Sequence, residues 1–143
     1  MTQAHKLVEI QQEHLPLLAA AALEGCDFSE QVPNATRYVG YGATKHGYGP
    51  ACVLDLTGTQ YVAEPHVVWF PWTSRKDRII NFKWAMSMLA ETREVLLNVA
   101  KEHAPFFDHF ARNKYLRKIG YIENLPIVEE IHMYQVNRRK IHE

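Results

Sequence analysis

The sequence predicts one domain of mixed α/β class, and three observations lead there. Its 143 residues fit a single domain, and a hydrophobic content of 47% supplies one packed core. Strand-like alternation and helical periodicity are interleaved along the chain, with no internal repeat. Lys and Arg number 16 and Asp and Glu also number 16, so no net charge favours nucleic acid or an anionic membrane surface as a partner.

His5–Ile10 alternates apolar and polar residues with period two, as a half-buried strand does. A helix follows, because Pro16 is tolerated in a first turn, Leu17–Leu23 is made of strong helix formers, and Gly25 supplies the stop. Asp27–Asn34 has room for one short helix at most, with Ser29 as its N-cap and Pro33 as a breaker. Tyr38–Gly42 reads either as a strand or as a glycine-rich loop. Lys45–Pro50, with Gly47, Gly49 and Pro50, has the composition of a turn or mobile loop.

Ala51–Leu56 reads as a strand, Thr57–Thr59 as a turn and Gln60–Ala63 as the second arm of a hairpin. His66–Phe70 is the most strongly β-forming stretch. Proline cannot donate to a ladder, so Pro65 predicts a bulge or a sheet edge there. Beyond the polar segment Thr73–Arg78, Phe82, Ala85, Met86 and Leu89 fall at the spacing of one buried helix face. Val95–Val99 is a short apolar run suited to a buried strand. A second amphipathic helix is predicted from Pro105 to Ile119, with Phe107, Ala111 and Tyr115 at four-residue steps and Gly120 as its stop. Tyr121–Ile122 and Ile131–Val136 close the chain as strands, and Arg138–Lys140 forms a solvated tail.

Met1–Lys6 lacks the apolar core of a signal peptide, and the longest apolar run, Leu15–Leu23, is too short to span a bilayer, so a soluble cytoplasmic protein is expected. Cys26 and Cys52 have no CxxC spacing and read as reduced small hydrophobes. His66, His103, His109 and His132 show no ligand spacing, so no metal site is expected.

Leu7–Ile10 followed by Glu13–Leu18 resembles the opening strand and first helix of the GNAT (Gcn5-related N-acetyltransferase) proteins. Ala63–Phe70 with the following Arg75 looks like their central fourth strand leading into the acyl-CoA loop. Leu116–Tyr121 is similar to the end of their fourth helix, where it runs into a Gly-aromatic pair. The resemblance implies a GNAT-like fold: a mixed, mostly antiparallel central sheet flanked by helices. More narrowly, Phe70–Arg75, Phe106–His109 and Leu116–Gly120 resemble the short GNAT-like proteins of tailed bacteriophages, some of which are associated with virion assembly. A place in the host cytoplasm or in the virion follows from that likeness.

The same resemblance implies acetyl-CoA as cofactor and a primary amine, on a small molecule or a protein, as acceptor. Acyl transfer asks for a diphosphate site, donors for the thioester oxygen, a base for the ammonium and an acid for the thiolate. Arg75 matches the first position of the family's Q/R-x-x-G-x-G/A loop, while Arg78 and Ile80 occupy its glycine positions. Phe70, Trp72, Thr73, Ser74, Arg75, Lys76 and Arg78 are therefore the expected cofactor-binding stretch, with side-chain charge replacing close backbone approach. The plainer alternative is a solvated helix start. Glu64 falls at the position of the family's general base, and His66, two residues on, shares its strand face. Tyr115 lies one residue from the family's acid position. His109 stands at the place of its asparagine, with Asn113 one turn later.

A second hypothesis is a catalytically idle GNAT-like module that binds a virion or host protein through exposed aromatics. It draws on Trp69, Phe70, Trp72, Phe82 and Trp84. Neither the acceptor nor the oligomeric state is legible in the sequence.

Overall fold

A computed structural model describes residues 5–26, 28, 31–123, 125–126 and 130–141. In chain order the elements are β1 (Lys6–Glu9), α1 (Leu15–Leu23), β2 (Thr36–Thr44), β3 (Gly47–Gly58), β4 (Val62–Trp69), α2 (Arg75–Leu89), β5 (Glu94–Ala100), α3 (Ala104–Arg112), β6 (Leu116–Glu123), β7 (Glu130–Val136) and α4 (Arg138–Ile141). The seven strands form a mixed, mostly antiparallel sheet of order β1-β2-β3-β4-β5-β7-β6, flanked by helices. The chain divides into two compact units, one from Met1–Thr57 and His66–Ala85, the other from Gly58–Pro65 and Met86–Glu143.

In the first unit β1, β2 and β3 pair antiparallel, with Val8 opposite Val39 and Val39 opposite Val53. Its core is Ala21, Phe28, Val39, Val53 and Phe70, with Leu17, Leu18, Val68 and Trp72 packed against it. The α1 helix presents Ala21 inward, carries Pro16 in its first turn, and stops at Gly25 with φ 91°. Contrary to strict alternation, Leu7 and Val8 in β1 are both half-buried. The expected N-cap Ser29 lies outside the described residues, and residues 31–34 form a turn rather than a helix.

Tyr38–Gly42 is a strand, and its glycines are explained by close approach. A Cβ on Gly40 would lie 2.6 Å from Cys52 Sγ, and one on Gly42 would collide with the Asn81 side chain. The loop expected over Lys45–Pro50 shrinks to Lys45 and His46, since Gly47, at φ 94°, already opens β3 opposite Thr44. Cross-strand pairing outweighs local composition here. Cys52 is buried, and burial pushes its thiol up to about 12.

In the second unit β5 pairs antiparallel with β7, and β7 with β6. Parallel pairing of β4 with β5 consists of Val62–Glu94 and Ala63–Val95. The β4–β5 ladder stops at Ala63, two residues before Pro65. Proline is tolerated there because the β4–β5 ladder ends before it. The predicted helix over Pro105–Ile119 is overturned in its second half. The α3 helix ends at Arg112, Lys114 takes the left-handed conformation at φ 70°, and Leu116 opens β6 opposite Val136. Gly120 is thus no helix stop but sits at a bulge in β6. The expected tail is α4, tied down by Arg138 Nε donating to the Ala90 carbonyl at 2.7 Å and by buried Ile141. Phe82, Ala85, Met86 and Leu89 on α2 are all buried, as the helical spacing predicts.

Candidate functional site

Along β4, Ala63 and Pro65 are buried while Glu64 and His66 are exposed. The alternation places the carboxylate and the imidazole on one solvent-facing side of an extended strand. The ladder to β5 ends at Ala63, immediately before Glu64.

The strand runs into a tightly organised turn. Phe70 is fully buried, and its N–H donates to the Ala51 carbonyl at 3.1 Å. The Trp72 ring stacks on Phe70 at 4.8 Å with an interplanar angle of 8°, and its Nε1 donates to the Pro50 carbonyl at 2.7 Å. Buried Thr73 donates through Oγ1 to Ala51 O at 2.7 Å. These three residues, expected at the cofactor, are committed to holding the turn against β3. Trp69, Trp72 and Trp84 are half-buried, and Phe70 and Phe82 are buried, so none of the five is a fully exposed aromatic side chain.

Ser74 caps α2. Its Oγ accepts from Asp77 N at 3.3 Å and donates to Asp77 Oδ2 at 2.9 Å, while Arg78 N donates to Ser74 O at 2.8 Å. Arg78, predicted to offer charge to a phosphate, folds back instead, with Nε donating to Thr73 O at 2.8 Å. Arg75 and Lys76 are exposed, and among the described residues neither side chain has a hydrogen bond or ion pair. Their amides occupy the first helical turn, where the dipole is positive. The carboxylate of Asp77 already lies in that field, so an arriving anion meets both a favourable dipole and a like charge.

The other expected site residues belong to the second unit. His109 and Asn113 serve the end of α3, where Asn113 Nδ2 donates to His109 O at 3.0 Å. Tyr115 lies beyond the helix, half-buried, with its ring against Phe110 at 6.4 Å and Lys140 Nζ above it at 5.8 Å. One polar network there went unread in the sequence. Fully buried Tyr134 donates to Asp108 Oδ1 at 2.7 Å, and Lys118 Nζ approaches the same oxygen at 3.4 Å. The Tyr134 hydroxyl, helped by Lys118, holds the Asp108 carboxyl below its usual range. Burial, and then Asp108, push the Tyr134 phenol up. The sequence reading placed Tyr134 on a closing strand, and nothing paired it with a helix residue 26 positions away. On the same strand His132 Nε2 hydrogen-bonds Glu130 Oε2.

Among the described residues no three His, Cys, Asp or Glu side chains group as a metal site, and no helix is long and apolar enough to cross a membrane. No protein-family model matches the chain, and no curated protein sequence matches it. Solved structures do. A variant of spermidine N-acetyltransferase SpeG from Vibrio cholerae superposes with a TM-score of 0.68 at 12% identity, over 97% of this chain and 96% of that one. Spermidine N-acetyltransferase from the same organism, in complex with CoA and spermine, gives 0.62 at 10% identity over 97% and 98%. The fold is the GNAT fold. Leu116–Tyr121, which the resemblance placed at a helix end, lie on β6, since α3 ends at Arg112.

Proposed function

We propose that this GNAT-fold chain is an N-acyltransferase that uses acetyl-CoA to acylate a primary amine. The observation that carries the proposal is the continuity of β4 with α2: Glu64 and His66 share an exposed face of a strand that leads into a helix start bearing two uncommitted cationic side chains, Arg75 and Lys76. A bound acyl-CoA would supply the activated thioester. Arg75 and Lys76 fit its diphosphate through first-turn amides and side-chain charge, while Ser74 keeps the turn in shape. Glu64 would take the proton of the acceptor ammonium, directly or through a water held by His66, so that the neutral amine attacks the thioester carbonyl; the C–S bond would break as the amide forms, with the proton shed by the new amide nitrogen going to the departing CoA thiolate. The CoA and spermine bound by the Vibrio cholerae enzyme support both the cofactor class and a small amine acceptor. His109, Asn113 and Tyr115 are absorbed by their own packing, and the proposal does not rest on them.

A second reading, a non-catalytic protein-binding module such as a virion-associated or host-directed phage protein, is favoured by two observations. Asp77 places a carboxylate on the helix N-terminus, and Arg78 and Ile80 stand where the GNAT loop carries glycines.

Calorimetric titration with CoA and acetyl-CoA, with thiol release measured against spermidine and other amines, separates the two. Binding by the wild type, its loss in Arg75→Glu/Lys76→Glu, and a drop in turnover of about 100-fold or more in Glu64→Gln with binding retained support the acyltransferase. Absence of heat with either ligand at millimolar concentration removes it.

A further inference from the structure

The two edges of the sheet are built differently. At one end β1 has only four residues, too short to offer a long pairing edge. At the other end β6 has eight residues, and Ile119, Tyr121 and Ile122 are 51%, 59% and 44% exposed. Among the described residues its only strand neighbour is β7.

The charges on β6 are arranged about its centre. The register shift between Lys118 and Gly120 leaves Ile119 as the extra residue of a bulge. Lys118 therefore lies opposite Tyr134, Tyr121 opposite His132 and Glu123 opposite Glu130, all on one face. This face forms an open groove lined by Lys118, Tyr121, Glu123, Glu130 and His132. Tyr121 is midway: its same-face neighbour is Lys118 on one side and Glu123 on the other. An antiparallel copy of β6 related by a two-fold axis through Tyr121 would thus set Lys118 against Glu123 of the second copy twice, flanking two stacked tyrosines. A net charge of zero adds no long-range repulsion between copies.

We propose that β6 is a self-recognition edge: it pairs antiparallel with β6 of a second copy of this chain, in the register that puts Tyr121 on the two-fold axis. The inference is independent of acyl-CoA chemistry, and its test involves no ligand.

Sedimentation velocity of the full chain over a concentration series is expected to give twice the monomer mass of 16.6 kDa. Glu123→Lys is expected to raise the dissociation constant about tenfold or more, because two symmetry-related pairs change sign together, and Lys118→Glu/Glu123→Lys to restore it. Lys118→Glu places a carboxylate near Asp108, so Tyr121→Cys provides an independent arm at an exposed position. Directly opposed strand residues lie about 4.5–5.5 Å apart at Cα, within disulfide reach, so mild oxidation is expected to yield a covalent dimer. A wild type that stays monomeric throughout overturns the proposal. So does a dimer that ignores Glu123→Lys and gives no Tyr121→Cys cross-link, which would mean that another surface mediates association.

Discussion

The Asn81 side chain on α2 grips the backbone of Ala43 in β2 from both directions: Nδ2 donates to Ala43 O at 2.9 Å and Oδ1 accepts from Ala43 N at 3.2 Å. A third bond runs from Nδ2 to Asp77 O at 2.8 Å, and Asn81 is 3% exposed. This clasp anchors the helix whose first turn carries the proposed diphosphate site. Asn81→Ala is expected to destabilise by about 2–4 kcal/mol, because the bonded main-chain groups of Ala43 lose their partner. Gly42→Ala, which drives a methyl into the clasp, is expected to cost about 1–3 kcal/mol. Urea unfolding of both variants checks this.

Arg37 and Asp55 form a buried two-point pair, Nε to Oδ1 at 2.7 Å and Nη2 to Oδ2 at 3.0 Å. The same groups bind the chain before β2, with Arg37 Nη1 donating to Phe28 O and Val32 N donating to Asp55 Oδ2. Asp55→Ala leaves a guanidinium uncompensated in the interior, and a loss of about 3–5 kcal/mol is expected. A midpoint in denaturant unchanged from wild type would contradict the pair's structural role.

Asp77→Asn separates the helix-capping role of this residue from its charge. Asparagine still fits a first turn, while a negative charge facing the diphosphate is removed. CoA affinity is expected to rise a few-fold, in line with about 0.3–1 kcal/mol for a charge at a helix terminus. Calorimetry measures it, and weaker binding in the variant would count against a diphosphate at this turn.

Tyr134→Phe is expected to produce a pH-dependent stability difference. Asp108 is depressed below its ordinary 3.8, first by the Tyr134 hydroxyl, so its contribution is present above that value and is lost as pH falls through the lowered one. Tyr134 is raised above 10.0, first by burial, so its contribution is present below 10.0 and is lost as pH climbs through the raised value. The gap between wild type and Tyr134→Phe is therefore expected to be level from about pH 4 to 10 and to change beyond both ends. Thermal unfolding across that range tests the shape.

Much of the architecture was legible because local signals and final structure agree. Pro16 and Gly25 bracket α1, Phe82, Ala85, Met86 and Leu89 mark the buried face of α2, the short apolar run Val95–Val99 marks β5, and Ile131–Val136 reads as the strand β7. The failures fall where long-range pairing decides. Phe107, Ala111 and Tyr115 have helical spacing and carry the predicted helix on to Ile119, yet Leu116–Glu123 pairs along its length with β7 as β6. Gly47–Pro50 has loop composition, yet the register with β2 extends β3 through it.

The proposed site divides in the same way. The sequence by itself placed Glu64 and His66 on one strand face, because the period of a strand assigns directions without reference to the rest of the chain, whereas the start of α2 at Arg75, inside the segment read as polar and preceding the helix, came from the structure. Only the tertiary structure decided that Phe70, Trp72, Thr73 and Arg78 are consumed in holding the turn, that Asp77 occupies the helix end, and that Asp108 meets Tyr134. Each of these is a hydrogen bond or ring contact whose geometry depends on how separate segments pack, which no local pattern encodes.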